Sequence, residues 1–208
     1  MTTLLEKTLS AIDDVNREDS NQTLVGGIAQ AKELVYGQRM TECLLQHWPN
    51  SDELLQIAVR GQHIKRWHLK RSDFEQGKAG YYQWRTALGT FHAELTASLM
   101  VECGYSAVQA KQTASIICKE NLKNKAAGEA GVQLNADSQT LEDVACLVFL
   151  QHYFDDFAAK ITQMNNEAKI IRIVQRTWGK MSERGHELAL QLELPQHLAQ
   201  LIKKALAS

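Results

Sequence analysis

Proline is nearly missing from this chain. Only Pro49 and Pro195 occur among 208 residues, so little interrupts the long stretches of Leu, Ala, Gln, Glu and Lys that helices favour. Long hydrophobic runs are missing too. The longest, Val144 to Leu150, falls well short of the roughly 20 residues that span a bilayer, and no membrane partner is expected. Neither sign of charge is in excess: 23 Lys and Arg face 24 Asp and Glu, for a net charge of -1. That balance argues against a surface built for non-specific polyanion binding, yet it leaves room for a local basic cluster around a small phosphorylated ligand. Four cysteines, Cys43, Cys103, Cys118 and Cys146, form no CxxC pair. Each sits in an apolar helical pattern as a small hydrophobe, and reduced thiols fit a cytoplasmic location. The N-terminal MTTLLEKTLSAIDD lacks a basic segment followed by an apolar one, so no secretory signal is expected.

What is present reads as helix. Leu4, Leu5, Thr8, Leu9, Ile12 and Val15 recur at helical spacing, followed by polar turn formers from Asn16 to Asn21. A second helix is expected over about 29–47 after Gly26 and Gly27, with Glu33, Arg39 and Glu42 off its apolar face. Asn50 or Ser51 caps a third, whose buried stripe is Leu54, Ile57, Ala58, Gly61 and Ile64. Residues 70–80 read as a loop, 81–103 as a helix closed by Gly104, and Ser106 as the cap of the next helix. Residues 124–138 read as a flexible loop. The segment 140–161, apolar on nearly all sides, is expected to run through the centre. Three further helices follow. The expectation is an all-α fold: a single-domain compact bundle of about seven to nine helices over residues 1–208.

The chemistry concentrates at IAVRGQHIKRWHLKR, residues 57–71, where imidazole and guanidinium groups crowd together. His63 follows the apolar stripe of its helix, and His92 sits beside Phe91 in the middle of another. Glu120 ends a third helix, and Glu142 and Asp143 open the central one. A buried carboxylate demands a cation, a donor or a metal. The gaps between His63, His92, Glu120 and Asp143 are 29, 28 and 23 residues. Each therefore lies on a different helix, as metal sites inside bundles require, and imidazole with carboxylate suits a divalent metal. No HExxH or ExxH pair falls among these four residues to strengthen that reading. The plainer alternative gives each histidine an ordinary hydrogen bond and makes Asp143 a first-turn helix acid after Thr140. Arg39, Arg60 and Arg66, with Lys119, are the candidate phosphate-binding cations, since guanidinium forks hold phosphate bidentately. At steps of three, Arg60, His63 and Arg66 are expected to share a helix face. Tyr81, Tyr82 and the tryptophans Trp67 and Trp84 bracket this region as possible stacking surfaces for a base, or as core anchors.

The strings AKELVYGQRMTE, IAVRGQHIKRW, GYYQWR, FHAE, LEDVACLVFL and TWGKMSERG resemble the family labelled domain of unknown function 4202, over about residues 12–192. More distantly, the order of features is similar to the HD-domain phosphohydrolases, all-helical proteins with a His, His-Asp and Asp metal set. Under that alignment AVRGQHIKRW stands at the His-Asp position, FHAELTASLMVECGY at the HA helix, CKENL at the next His, and Asp143 at the final acid. Gln62-His63-Ile64 departs from a His-Asp pair, and Glu120 stands where a His is expected. The helix ELVYGQRMTE offers Tyr36 or Arg39 and no His.

The resemblance implies a metal-dependent phosphohydrolase acting on a phosphorylated small molecule or nucleotide. A divalent metal would sit on His63, His92, Glu120 and Asp143, with Glu142 as general base. Two other expectations stand beside it: a non-catalytic module that binds a nucleotide, an RNA end or another anion, and a structural or partner-binding helical protein.

Overall fold

Capping chemistry sets the helix starts. In the computed structural model, which describes residues 2–120, 122, 129–163 and 166–207 (129–135 by backbone alone), Thr3 opens α1, Leu4–Arg17. Its hydroxyl accepts from the Glu6 amide at 3.1 Å while the Glu6 carboxylate accepts from the Thr3 amide at 2.8 Å, so two otherwise orphaned donors are satisfied together. Asp52, rather than Asn50 or Ser51, caps α3, Glu53–Gly61, through the Leu55 amide. Ser106 caps α5, Ala107–Cys118, with Gln109 closing the same reciprocal pair.

Between α1 and α2, Lys32–His47, the chain forms a β-hairpin, β1 Gln22–Val25 and β2 Ile28–Ala31, paired antiparallel with Gln22 opposite Ala31. The expected helix start at residue 29 is therefore a strand. Gly26 and Gly27 both have positive φ, 57° and 83°, and a two-residue hairpin turn with left-handed backbone matches the twist of its strands. Asp19 closes the base of the hairpin: its carboxylate accepts from both Asn21 nitrogens and from the Glu33 amide.

α4, Gly77–Cys103, begins four residues before its expected start and shortens the loop. α6, Glu129–His152, takes in residues 129–138, which read as loop from sequence; residues 124–128 of that loop lie outside the described residues. The expected central helix ends at His152, and α7, Phe154–Thr162, follows. α8, Glu167–Trp178, α9, Glu183–Leu190, and α10, Gln196–Ala207, complete the chain. The fold is all-α, 75% helical with ten helices among the described residues and one two-stranded sheet. No described helix is long and apolar enough to cross a membrane.

The chain divides into two compact units, Met1–Leu141 and Glu142–Ser208. In the first, Ile12, Ile57, Ile64 and Met100 are fully buried with Tyr105 and Ala110, and Leu5, Leu9, Leu54 and Leu95 pack around them. Each such isoleucine contributes about 2 kcal/mol by leaving water. In the second, Ile170 and Val174 of α8 and Leu198 and Ala205 of α10 are buried, and Gln175 donates to the Ala205 carbonyl at 3.0 Å.

Candidate functional site

A cavity of about 430 Å³ opens in the first unit. The turn after α3 contributes Gln62, His63 and Arg66. α4 contributes Tyr82, Arg85, Thr86, Gly89, Thr90 and His92. The end of α5 contributes Ile117, Cys118, Lys119 and Glu120. Among the described lining residues, three cations thus face one acid.

The chain reaches this arrangement by leaving the helix early. α3 stops at Gly61, and Lys65 adopts a left-handed conformation, φ 50°. The expected shared face of Arg60, His63 and Arg66 is therefore absent, because helical register no longer links them. Arg60 points to Asp13 at 3.4 Å, a nearly buried ion pair, and is not among the residues lining the cavity, whereas His63 and Arg66 line it. Lys119, at the end of α5, is the only other described non-glycine residue with positive φ, 56°.

The two imidazoles sit side by side, ring centroids 5.9 Å apart. His92 is 2% exposed. Its Nδ1 lies 2.7 Å from the Ile64 carbonyl, so Nδ1 carries the hydrogen and donates. Nε2 is then the acceptor, and it has no hydrogen-bond partner among the described residues. Burial, the neighbouring His63 and the nearby arginines push the His92 pKa down to about 3. His63 is likewise held well below its ordinary value, by burial first and then by Arg66, Arg85, Lys119 and Lys32. Both rings are therefore neutral at physiological pH. Tyr36 stacks on His63 at 4.1 Å and 15°, and its hydroxyl accepts from Gln62 at 2.7 Å. Arg66 lies over the Trp84 ring at 5.4 Å, and Trp84 donates to the Leu69 carbonyl at 3.0 Å.

The family model for DUF4202, a domain of unknown function, matches residues 6–202. The chain belongs to this family. No curated protein and no solved structure matches it.

Of the residues named from the sequence, this DUF4202 chain brings His63, His92, Glu120, Arg66 and Lys119 to one cavity. Glu120 also accepts from the Ser115 hydroxyl at 3.0 Å. Arg39, on α2, does not line the cavity. Glu142 and Asp143 belong to the second unit. They lie in the middle of α6 and not at its start, so the first-turn reading of Asp143 does not hold. Asp143 instead supports another helix: its carboxylate accepts from the Ser182 amide at 2.8 Å and the Ser182 hydroxyl at 2.5 Å, and Ser182 caps α9. Gly185 passes so close that a Cβ there would lie 2.7 Å from Asp143 Oδ1. Glu142 pairs with Lys180 at 3.1 Å. Among the described residues no group of three or more His, Cys, Asp or Glu side chains is arranged to hold a metal ion.

Sequence reasoning passed over Glu33, which it placed off the apolar face of its helix. Glu33 is 8% exposed, and its carboxylate faces His63 Nδ1 at 3.4 Å. Burial raises its pKa, with Arg66 and Lys32 opposing. Its spacing with Tyr36 and Met40, at i, i+3 and i+7, was the available signal. Thr86 and Thr90 were also passed over; they follow Tyr82 at steps of four along α4, and only that helical register could have grouped them.

Proposed function

We propose that the cavity of the first unit binds the phosphoryl group of a phosphorylated small molecule or nucleotide. The observation that carries this reading is the lining itself: Arg66, Arg85 and Lys119 beside two neutral imidazoles, His92 buried and His63 partly so, with Glu120 the one acid among the described lining residues. The Arg66 guanidinium, partly desolvated against protein, binds phosphate strongly because its charge is less screened than in water and its fork matches the phosphate oxygens, and the more exposed Arg85 offers a second fork. The cavity is larger than a phosphate needs, and Tyr82, Thr86 and Thr90 offer a ring face and hydroxyls to the organic part.

Hydrolysis assisted by a divalent metal is the second reading, favoured by His92 Nε2, a buried imidazole acceptor without a hydrogen-bond partner among the described residues, and by the HD-domain resemblance. A bound metal would supply an activated water. The fit is incomplete. His63 and His92 are adjacent, but no third donor completes a shell among the described residues, and the Arg66 guanidinium, 3.4 Å from His63 Nε2, opposes a cation there. Anion binding is therefore the better supported of the two.

Thermal shift and calorimetry with inorganic phosphate, glycerol phosphate, mononucleotides and a 5′-phosphorylated RNA oligomer test both. Stabilisation that grows with ligand concentration and does not require metal supports anion binding. Phosphate release that depends on manganese, cobalt or zinc supports hydrolysis. No stabilisation by any phosphate compound sinks both.

A further inference from the structure

The contacts that support the cavity begin at the base of the hairpin. Asp19, 2% exposed, accepts from the Glu33 amide at 3.2 Å and so fixes the start of α2. Glu33 Oε2 faces His63 Nδ1 at 3.4 Å. On the other side of that ring, Arg66 Nη1 lies 3.4 Å from His63 Nε2. A guanidinium has donors only, so Nε2 must accept. A neutral imidazole carries a single hydrogen, which then belongs on Nδ1, towards Glu33. Tyr36, stacked on the ring, and Trp84, under the guanidinium, leave little freedom to either.

We infer that Glu33 is a positioning residue of the cavity: it holds His63 in the Nδ1–H tautomer, and His63 Nε2 in turn holds Arg66 against the cavity wall. The role in ligand binding rests on the anion-binding reading above. Without an acceptor at position 33 the hydrogen gains nothing on Nδ1. The Nε2–H tautomer would then set a donor against the guanidinium, and Arg66 would leave its place. Orientation of a partner through the far nitrogen of an imidazole follows the general rule that the hydrogen bond at one ring nitrogen decides what the other presents.

The test pairs ring-nitrogen NMR with ligand affinity. Nitrogen-15 spectra of the histidines, with His63 assigned from His63→Gln, are expected to show Nδ1 protonated and Nε2 bare in the wild type. Glu33→Gln still offers a carbonyl to Nδ1 and is expected to keep both the tautomer and the affinity for glycerol phosphate within about threefold. Glu33→Leu is expected to move the hydrogen to Nε2 and to weaken glycerol phosphate binding roughly tenfold, the range of one charge-assisted hydrogen bond, with helical circular dichroism unchanged. A carboxylate that merely balances charge would instead make Gln and Leu lose affinity alike, which overturns the role. A wild-type Nε2–H tautomer overturns it as well. If Glu33→Leu does not fold, the wild-type and Glu33→Gln spectra decide alone, since loss of the Nδ1–H tautomer in either is fatal to the inference. Failure of the wild type to bind glycerol phosphate removes the anion-binding reading and the binding role of Glu33 with it. Binding with the wrong tautomer removes only the latter.

Discussion

Asp143 and His92 are each 2% exposed, and both were named from the sequence as metal ligands. Their surroundings differ. Asp143 receives two hydrogen bonds from Ser182, and its neighbour Glu142 has Lys180. His92 makes one bond to a carbonyl and keeps a second nitrogen without a partner among the described residues, beside a cavity ringed by cations. A buried polar group that is satisfied holds structure together. One that is not stands ready for a ligand.

The contrast breaks first at Asp143. Asp143→Ala would strand the Ser182 amide and hydroxyl and loosen the residue that caps α9, at a cost of about 3 kcal/mol. Urea unfolding followed by circular dichroism measures it. A loss below about 1 kcal/mol would return Asp143 to the list of residues kept for chemistry.

Two arginines six residues apart sharpen the comparison. Arg60→Met leaves Asp13 buried without its cation and should lower stability by about 2 kcal/mol. Its effect on phosphate affinity should be small. Arg66→Met should do the reverse, weakening glycerol phosphate binding by about 2 kcal/mol, roughly thirtyfold, while unfolding changes less. Equal effects of the two substitutions on binding would mean that the cavity is not where the ligand sits.

That pair also shows where the sequence stopped being readable. Helices announce themselves by apolar spacing and by caps such as Ser106, so their number and approximate places were accessible. The hairpin was not: four-residue strands carry too few alternations to register, and Gly26-Gly27 signals only a turn. The early end of α3 had no local mark either, since a lysine gives no sign that it will take up a left-handed backbone at position 65. Register extrapolated through that point placed Arg60 with Arg66. The meeting of His63, Arg66, His92, Lys119 and Glu120 depends on how α3, α4 and α5 pack, and spacing along a chain does not encode it. The same limit explains why Glu33, an acid in a first turn that looks solvated, was passed over.

Acid offers a third measurement. The folded His92 pKa of about 3 lies below the ordinary 6.5, so below pH 6.5 the unfolded chain binds a proton that the folded chain refuses. Stability contributed by the neutral ring is fully present above pH 6.5 and is lost as pH falls towards 3, at up to about 1.4 kcal/mol per pH unit. His63, depressed in the same direction, adds to the loss. Glu33, whose folded pKa is raised by burial, acts oppositely. Melting temperatures of the wild type and of a histidine variant between pH 7 and 5.5 therefore separate the imidazole share from the carboxylate share. His92→Gln should flatten that slope by the share of one proton, and an unchanged slope would show that the ring is not held neutral by its surroundings.

The smallest effect has the opposite sign and separates strain from function. Lys65 and Lys119 both hold left-handed backbone, which costs a side chain about 1 kcal/mol and costs glycine nothing comparable. Lys65→Gly and Lys119→Gly should each stabilise the fold by up to that amount, reduced by glycine's greater freedom when unfolded. Only Lys119 lines the cavity. Its replacement should weaken glycerol phosphate binding several-fold, whereas Lys65→Gly should leave affinity within twofold. If both glycine variants gain stability and neither loses affinity, Lys119 contributes backbone geometry alone, and the anion is held by Arg66 and Arg85.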